Sequence, residues 1–353
     1  MVGSYPKPHY LFPDSGRSLL DSVGASFWKM RTKIGSKKHR RRLNRAVRLA
    51  IRDQVQAGVD MISDGEEQRD HYIMYVLRGL AGIDFEHLEE ITFREGKYKR
   101  MVPVIVDRLT YRQAITVEDF RFARSYARKM VKVNLPGPAT IADTIADHFY
   151  QGDRERIARA YALVIKKEVG NLIKAGCRAI QFDDPVLMRN LEAAGQWGID
   201  VLESCVADYK LEAQFFLHIC RGYPDPAAEK EGTLYKAPQE NYAELLDLLQ
   251  ETSFDVVSIE GAQGNLDLSA LAHSGRKKIM LGVLDVGTNQ VEPVGDLAAR
   301  GREALNYLPP EQLILSPDCG MIELNRHSAK QKLKNLALAV KLLNREIDRP
   351  MGR

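Results

Sequence analysis

Cysteine is scarce: four in 353 residues. So few thiols over that length cannot make a disulfide framework, so each is either a packing thiol or a candidate metal ligand. Tryptophan occurs only twice. No apolar run approaches the ~18 residues of a membrane helix, and no apolar leader opens the chain. The expectation is a cytoplasmic protein without a membrane partner. Neither charge sign dominates, with 51 Lys and Arg against 47 Asp and Glu. That balance does not ask for nucleic acid, while a pI near 8.7 suits small anionic molecules. What the chain does have is apolar content, 44%, enough for a large core.

The apolar segments alternate in kind. Short strand-like runs appear at Met1–Ser4, Val59–Glu66, Val131–Pro136, Ala179–Asp184, Gln214–Cys220, Val256–Glu260, Ile279–Val286 and Glu311–Ser316. Helical patterns separate most of them, for example Arg154–Ala175 and Ser328–Ile347. Eight strands alternating with helices predict one α/β domain over residues 1–353, a (β/α)8 TIM barrel. The stretch 82–131 breaks the rhythm and reads as an insertion between strands 2 and 3, a hairpin turning at Gly96 and then a helix from Val117. The basic run Lys37–Arg42, KKHRRR, opens a helix to about Ala57. Such charges sit badly at a helix N-terminus, where the dipole prefers anions, so the run reads as a solvated face or as an anion or partner contact.

In such a barrel the chemistry sits at the C-terminal ends of the strands. The segment QFFLHICRG places His218 and Cys220 two apart, on one side of a strand. Glu260 and Cys319 end two later strands. Two thiols, an imidazole and a carboxylate form a four-ligand set suited to Zn²⁺. Their spread over about 100 residues favours a catalytic over a closed structural site. A zinc rich in thiolate ligands activates water poorly but still deprotonates a bound thiol, which points to alkyl transfer to sulfur. Glu66 and Asp183 then suit the ammonium of an amino-acid thiol, and Ser4 its carboxylate. Cys177 and Cys205 have no such setting, and His71, His148, His273 and His327 read as surface or capping residues.

The motifs VGSYPKP (2–8), DGEEQRD (64–70), LPGPAT (135–140), IQFDDP (180–185), HIC (218–220), SIEGA (258–262), GVLDV (282–286) and SPDCG (316–320) resemble the catalytic barrel of cobalamin-independent methionine synthases. The resemblance spans nearly the whole chain. It implies that His218, Cys220, Glu260 and Cys319 bind zinc, and that Ser4, Glu66 and Asp183 contact homocysteine, with Asp183 and Glu66 in the catalytic set. It further implies methyl transfer to homocysteine to give methionine, with small-molecule partners. Gly137–Thr144 lacks the family's pterin-stacking Trp. The donor therefore stays open between methyltetrahydrofolate and a methyl-corrinoid delivered by a corrinoid protein. Alkyl transfer to another thiol, such as coenzyme M, is the alternative within the enzymes, and a non-catalytic zinc-binding protein the alternative outside them.

Overall fold

A computed structural model describes residues 1–11, 37–93, 98–222, 236–264 and 266–348. Six strands form one parallel sheet in the order β11-β10-β9-β8-β7-β5: β5 (Val133–Pro136), β7 (Ala179–Asp183), β8 (Gln214–Ile219), β9 (Val256–Ile259), β10 (Lys278–Leu284) and β11 (Leu313–Pro317). Two more short strands, β1 (Met61–Ile62) and β4 (Met130–Val131), pair in parallel beside it. The amide of Lys132 bonds the carbonyl of Ile62, so this pairing runs on toward β5. The fold is therefore α/β with parallel strands, buried on both faces, which is why β7 to β10 read as near-continuous apolar runs.

The expected first strand differs. Met1–Tyr5 joins no ladder. It is held instead by single bonds: the terminal ammonium to Met61 O, Ser63 Oγ to Gly3 O and the Tyr5 amide to Gly65 O. Pro6 and Pro8 remove the donors a longer strand would need. The second expected strand, Val59–Glu66, is reduced to the two residues of β1.

Between β1 and β4 stands an antiparallel hairpin of β2 (Leu80–Phe93) and β3 (Tyr98–Tyr111), joined at its flank by β6 (Ala146–Asp147). The Gly96 turn lies outside the described residues. The helix expected from Val117 runs to Tyr126. Four helices matter below: α1 (Lys37–Ala57), α2 (Pro138–Asp143), α3 (Arg154–Lys174) and α4 (Arg326–Ile347). In α1 the basic residues lie largely on the exposed side, with Arg42 and Arg45 over the ring of Tyr10.

Most of the core lies between strands and helices. A second, smaller cluster holds Val2, Ala179, Phe216, Val256 and Met280, with Met61 and Ile314 half-buried against it. It takes one side chain from each of β1, β7, β8, β9, β10 and β11, together with Val2 of the N-terminal segment. Among the described residues no helix is long and apolar enough to cross a membrane.

Candidate metal centre and substrate site

Strand β8 is apolar to its last turn and then delivers His218, with Cys220 just beyond its end. Strand β11 ends at Pro317 and leads into Asp318 and Cys319. The ligand atoms of His218, Cys220 and Cys319 lie within 4.8 Å of one another. The Cys319 sulfur is 3.4 Å from His218 Nε2, and His218 Nδ1 lies 3.0 Å from Ser258 Oγ. One ring nitrogen thus faces the thiols while the other is held from behind, the arrangement that orients a metal-binding imidazole.

The Cys319 thiol hydrogen-bonds the Cys220 sulfur, and His218 adds a second bond, so the Cys220 thiol is held well below its ordinary range. Burial alone would depress His218, yet its bond to Cys220 and that sulfur's charge carry it above the usual histidine value. An imidazole beside two converging thiols, one poised as thiolate, is a donor set that fits Zn²⁺.

Glu260 is buried at the end of β9 but stands apart from this trio. Its carboxylate takes a 3.2 Å ion pair with Lys236, which also bonds Gln263. Burial, reinforced by the charge on Cys220, raises Glu260 to about 7. Asp318 does structural work: its carboxylate accepts from the amides of Gly261, Ala262 and Gln263 and so fixes the loop that follows Glu260.

Asp183, Glu66 and Ser4 lie around the same strand ends. Asp183 ends β7 in register with His218 on β8. Its Oδ1 accepts from Gln181 at 2.5 Å and its Oδ2 from Asn134 at 3.3 Å. Burial raises its pKa, against the pull of His218 and these donors. Glu66 is pushed up to about 7 by burial, opposed by Arg69 and helped by the charge of Asp183. Its backbone sits at φ +52, a left-handed conformation that costs a non-glycine residue and clusters at working sites. Ser4 packs against Gly320, where an added Cβ would fall 2.1 Å from Ser4 Oγ. Gly3 is similarly enforced, since a Cβ there would meet Glu66 and Asn134.

Asp184 has a different role. Its carboxylate caps α2, accepting from the amides of Ala139 and Thr140 and from the Thr140 hydroxyl. Sequence reasoning missed Tyr72, a half-buried phenol whose pKa is raised by burial and by the charges of Asp183 and Cys220. It also missed Lys236, Ser258, Asn134 and Gln181. For Asn134 and Gln181 a signal existed: polar residues in otherwise apolar buried strands. Cys177 and Cys205 are buried away from this cluster, and His71 caps the short helix Tyr72–Leu77. The basic concavity lined by Tyr10, Lys38, Arg41, Arg42 and Arg45 shares no residue with it.

Residues 2–341 match the family described as cobalamin-independent synthase, catalytic domain. A methionine synthase of Saccharolobus solfataricus is 28% identical over 99% of this chain and 95% of its own length. One from Pyrococcus abyssi is 27% identical over 99% and 93%. Among solved structures, a B12-independent methionine synthase from Shewanella sp., in complex with selenomethionine, has 28% identity and a TM-score of 0.86, covering 98% of this chain and 97% of that one.

Proposed function

Because the chain belongs to the cobalamin-independent synthase catalytic-domain family, and is a methyltransferase on that ground, we propose that it methylates the thiol of homocysteine to give methionine. The observation that carries this reading is the meeting of His218, Cys220 and Cys319 beside the half-buried carboxylates Asp183 and Glu66. A solved relative carrying the seleno form of the product supports it.

The whole chain is read as one catalytic domain, a (β/α)8 barrel whose eighth position is the extended segment Met1–Tyr5. The inner cluster supports closure, because Val2 packs with residues from the other strands. So do the bonds that hold this segment on both sides, to Met61 and Gly65 on one and from the Met321 amide to Ser4 O on the other.

Within that frame His218, Cys220 and Cys319 hold zinc, with Glu260 as the fourth ligand once its carboxylate leaves Lys236. Zinc bound there would lower the pKa of an incoming thiol and leave its sulfur nucleophilic at neutral pH. The chain supplies the rest. Asp183 and Glu66 take the substrate ammonium, and Ser4 and its neighbouring backbone the carboxylate. Burial of these groups strengthens each contact by excluding water. The methyl donor is a methylated folate or a methyl-corrinoid.

The test is a matrix assay on purified, zinc-loaded protein: homocysteine or coenzyme M as acceptor, methyltetrahydrofolate or a methyl-corrinoid as donor. Methionine from either donor supports the proposal. Product on coenzyme M alone, or no product while zinc stays bound, rejects it.

A further inference from the structure

A lysine is enclosed inside the strand array, below the substrate carboxylates. Lys132, between β4 and β5, is 1% exposed. Among the described residues no carboxylate lies within ion-pair distance of it. Its ammonium donates to Gln181 Oε1 and lies 5.0 Å from the centre of the Phe216 ring. Burying a lysine costs several kcal/mol, so the fold must gain something from its presence.

The chain of contacts shows what. Gln181 and Asp183 are two apart on β7 and face the same side. The Gln181 amide lies between Lys132 and Asp183, with Oε1 toward the ammonium and Nε2 toward Asp183 Oδ1. A carboxamide is nearly symmetric in shape, and only its neighbours choose which end is which. A protonated Lys132 is donor-only, so it forces the oxygen to its own side. The amide nitrogen must then point at Asp183. Asn134 supplies the second donor from the adjacent strand, its own orientation fixed by Val2 O at 2.7 Å. Each carboxylate oxygen of Asp183 thereby meets one donor and keeps lone pairs for a further partner.

We propose that Lys132 is a positioning residue: by fixing the Gln181 amide it keeps Asp183 an acceptor aimed at the substrate's amino group. The inference rests on the reading of Asp183 as the ammonium contact. It assigns selectivity for an amino-acid thiol to a residue that touches neither substrate nor metal site.

The test compares homocysteine with 4-mercaptobutanoate, which keeps thiol and carboxylate but lacks the amine. Binding of each to the zinc-loaded full chain is measured by calorimetry, so no turnover is required. Wild type should prefer homocysteine. Lys132→Met should weaken homocysteine at least tenfold and leave 4-mercaptobutanoate within twofold. Gln181→Glu keeps a partner for Lys132 but removes the donor to Asp183, and should show the same selective loss even if Lys132→Met fails to fold. The double variant Lys132→Met/Gln181→Met should lose no more than the weaker-binding of Lys132→Met and Gln181→Met, as for residues acting in series. Equal weakening of both thiols, or none, in the folded variants overturns the role of Lys132. Equal affinity of wild type for both thiols overturns the Asp183 contact itself, a failure seen without any Lys132 variant.

Discussion

Ser258 shows how much one hydroxyl can matter without being a ligand. Its Oγ holds His218 Nδ1 from behind, leaving Nε2 to face the thiols. Ser258→Ala should lower zinc affinity about 10- to 100-fold, the usual cost of losing such a support, as read by competition with a chelating dye. Substituting a proposed ligand outright, Cys220→Ser, should abolish stoichiometric zinc, as read by elemental analysis. The residue scale is also where the sequence was most and least informative. His218 and Cys220 were legible because a strand puts alternate residues on one side. The pairing of Glu260 with Lys236 was not, since 24 residues separate them and nothing in either segment announces the contact. Asp184, the neighbour of Asp183, is turned away by strand alternation to cap α2.

At the scale of elements, one buried carboxylate helps tie the end of the hairpin to the main body. Glu168 on α3 accepts from the Tyr111 hydroxyl, the amides of Ile115 and Thr116 and the Thr116 hydroxyl. These groups lie at the end of β3 and the start of the helix Val117–Tyr126. Glu168→Ala would strand buried donors with no acceptor, and should cost about 3 kcal/mol in denaturant unfolding, with faster proteolysis between residues 111 and 117. The order of strands and helices could be read from the sequence because each kind of element has its own apolar period. Their lengths could not. The end strands are cut short by prolines and by a left-handed turn at Gly65 and Glu66, which are backbone effects. Glu168 was invisible for another reason: an acidic residue in a helix usually faces water.

For the molecule as a whole, the first and last segments are fastened together through Arg326 at the head of α4. It pairs with Asp53 of α1 at 2.8 Å, bonds Pro6 O, and lies over the Tyr5 ring. Beneath it sits Glu67, 1% exposed, 3.5 Å from Arg326, with neither carboxylate oxygen hydrogen-bonded among the described residues. Burial raises Glu67 from 4.5 to about 8, against the pull of Lys7 and Arg326. The folded state therefore holds a proton that the unfolded chain releases, and stability falls as pH rises. The penalty is absent below about 4.5, grows through neutrality and is complete above about 8. Glu67→Gln should flatten this slope by a few kcal/mol between pH 5 and 8, as measured by urea unfolding at each pH.

Cys319 and His218 are 101 residues apart in the chain and meet only after β9 and β10 have stacked between β8 and β11. A denatured molecule has no comparable pocket of donors, so an ion bound as proposed would discriminate sharply between the two populations. Its occupancy should count native molecules, and stripping it with a chelator should lower the melting temperature in proportion to how tightly it was held. Cofactor supply in the cell would then set not only how fast this protein works but how much of it survives.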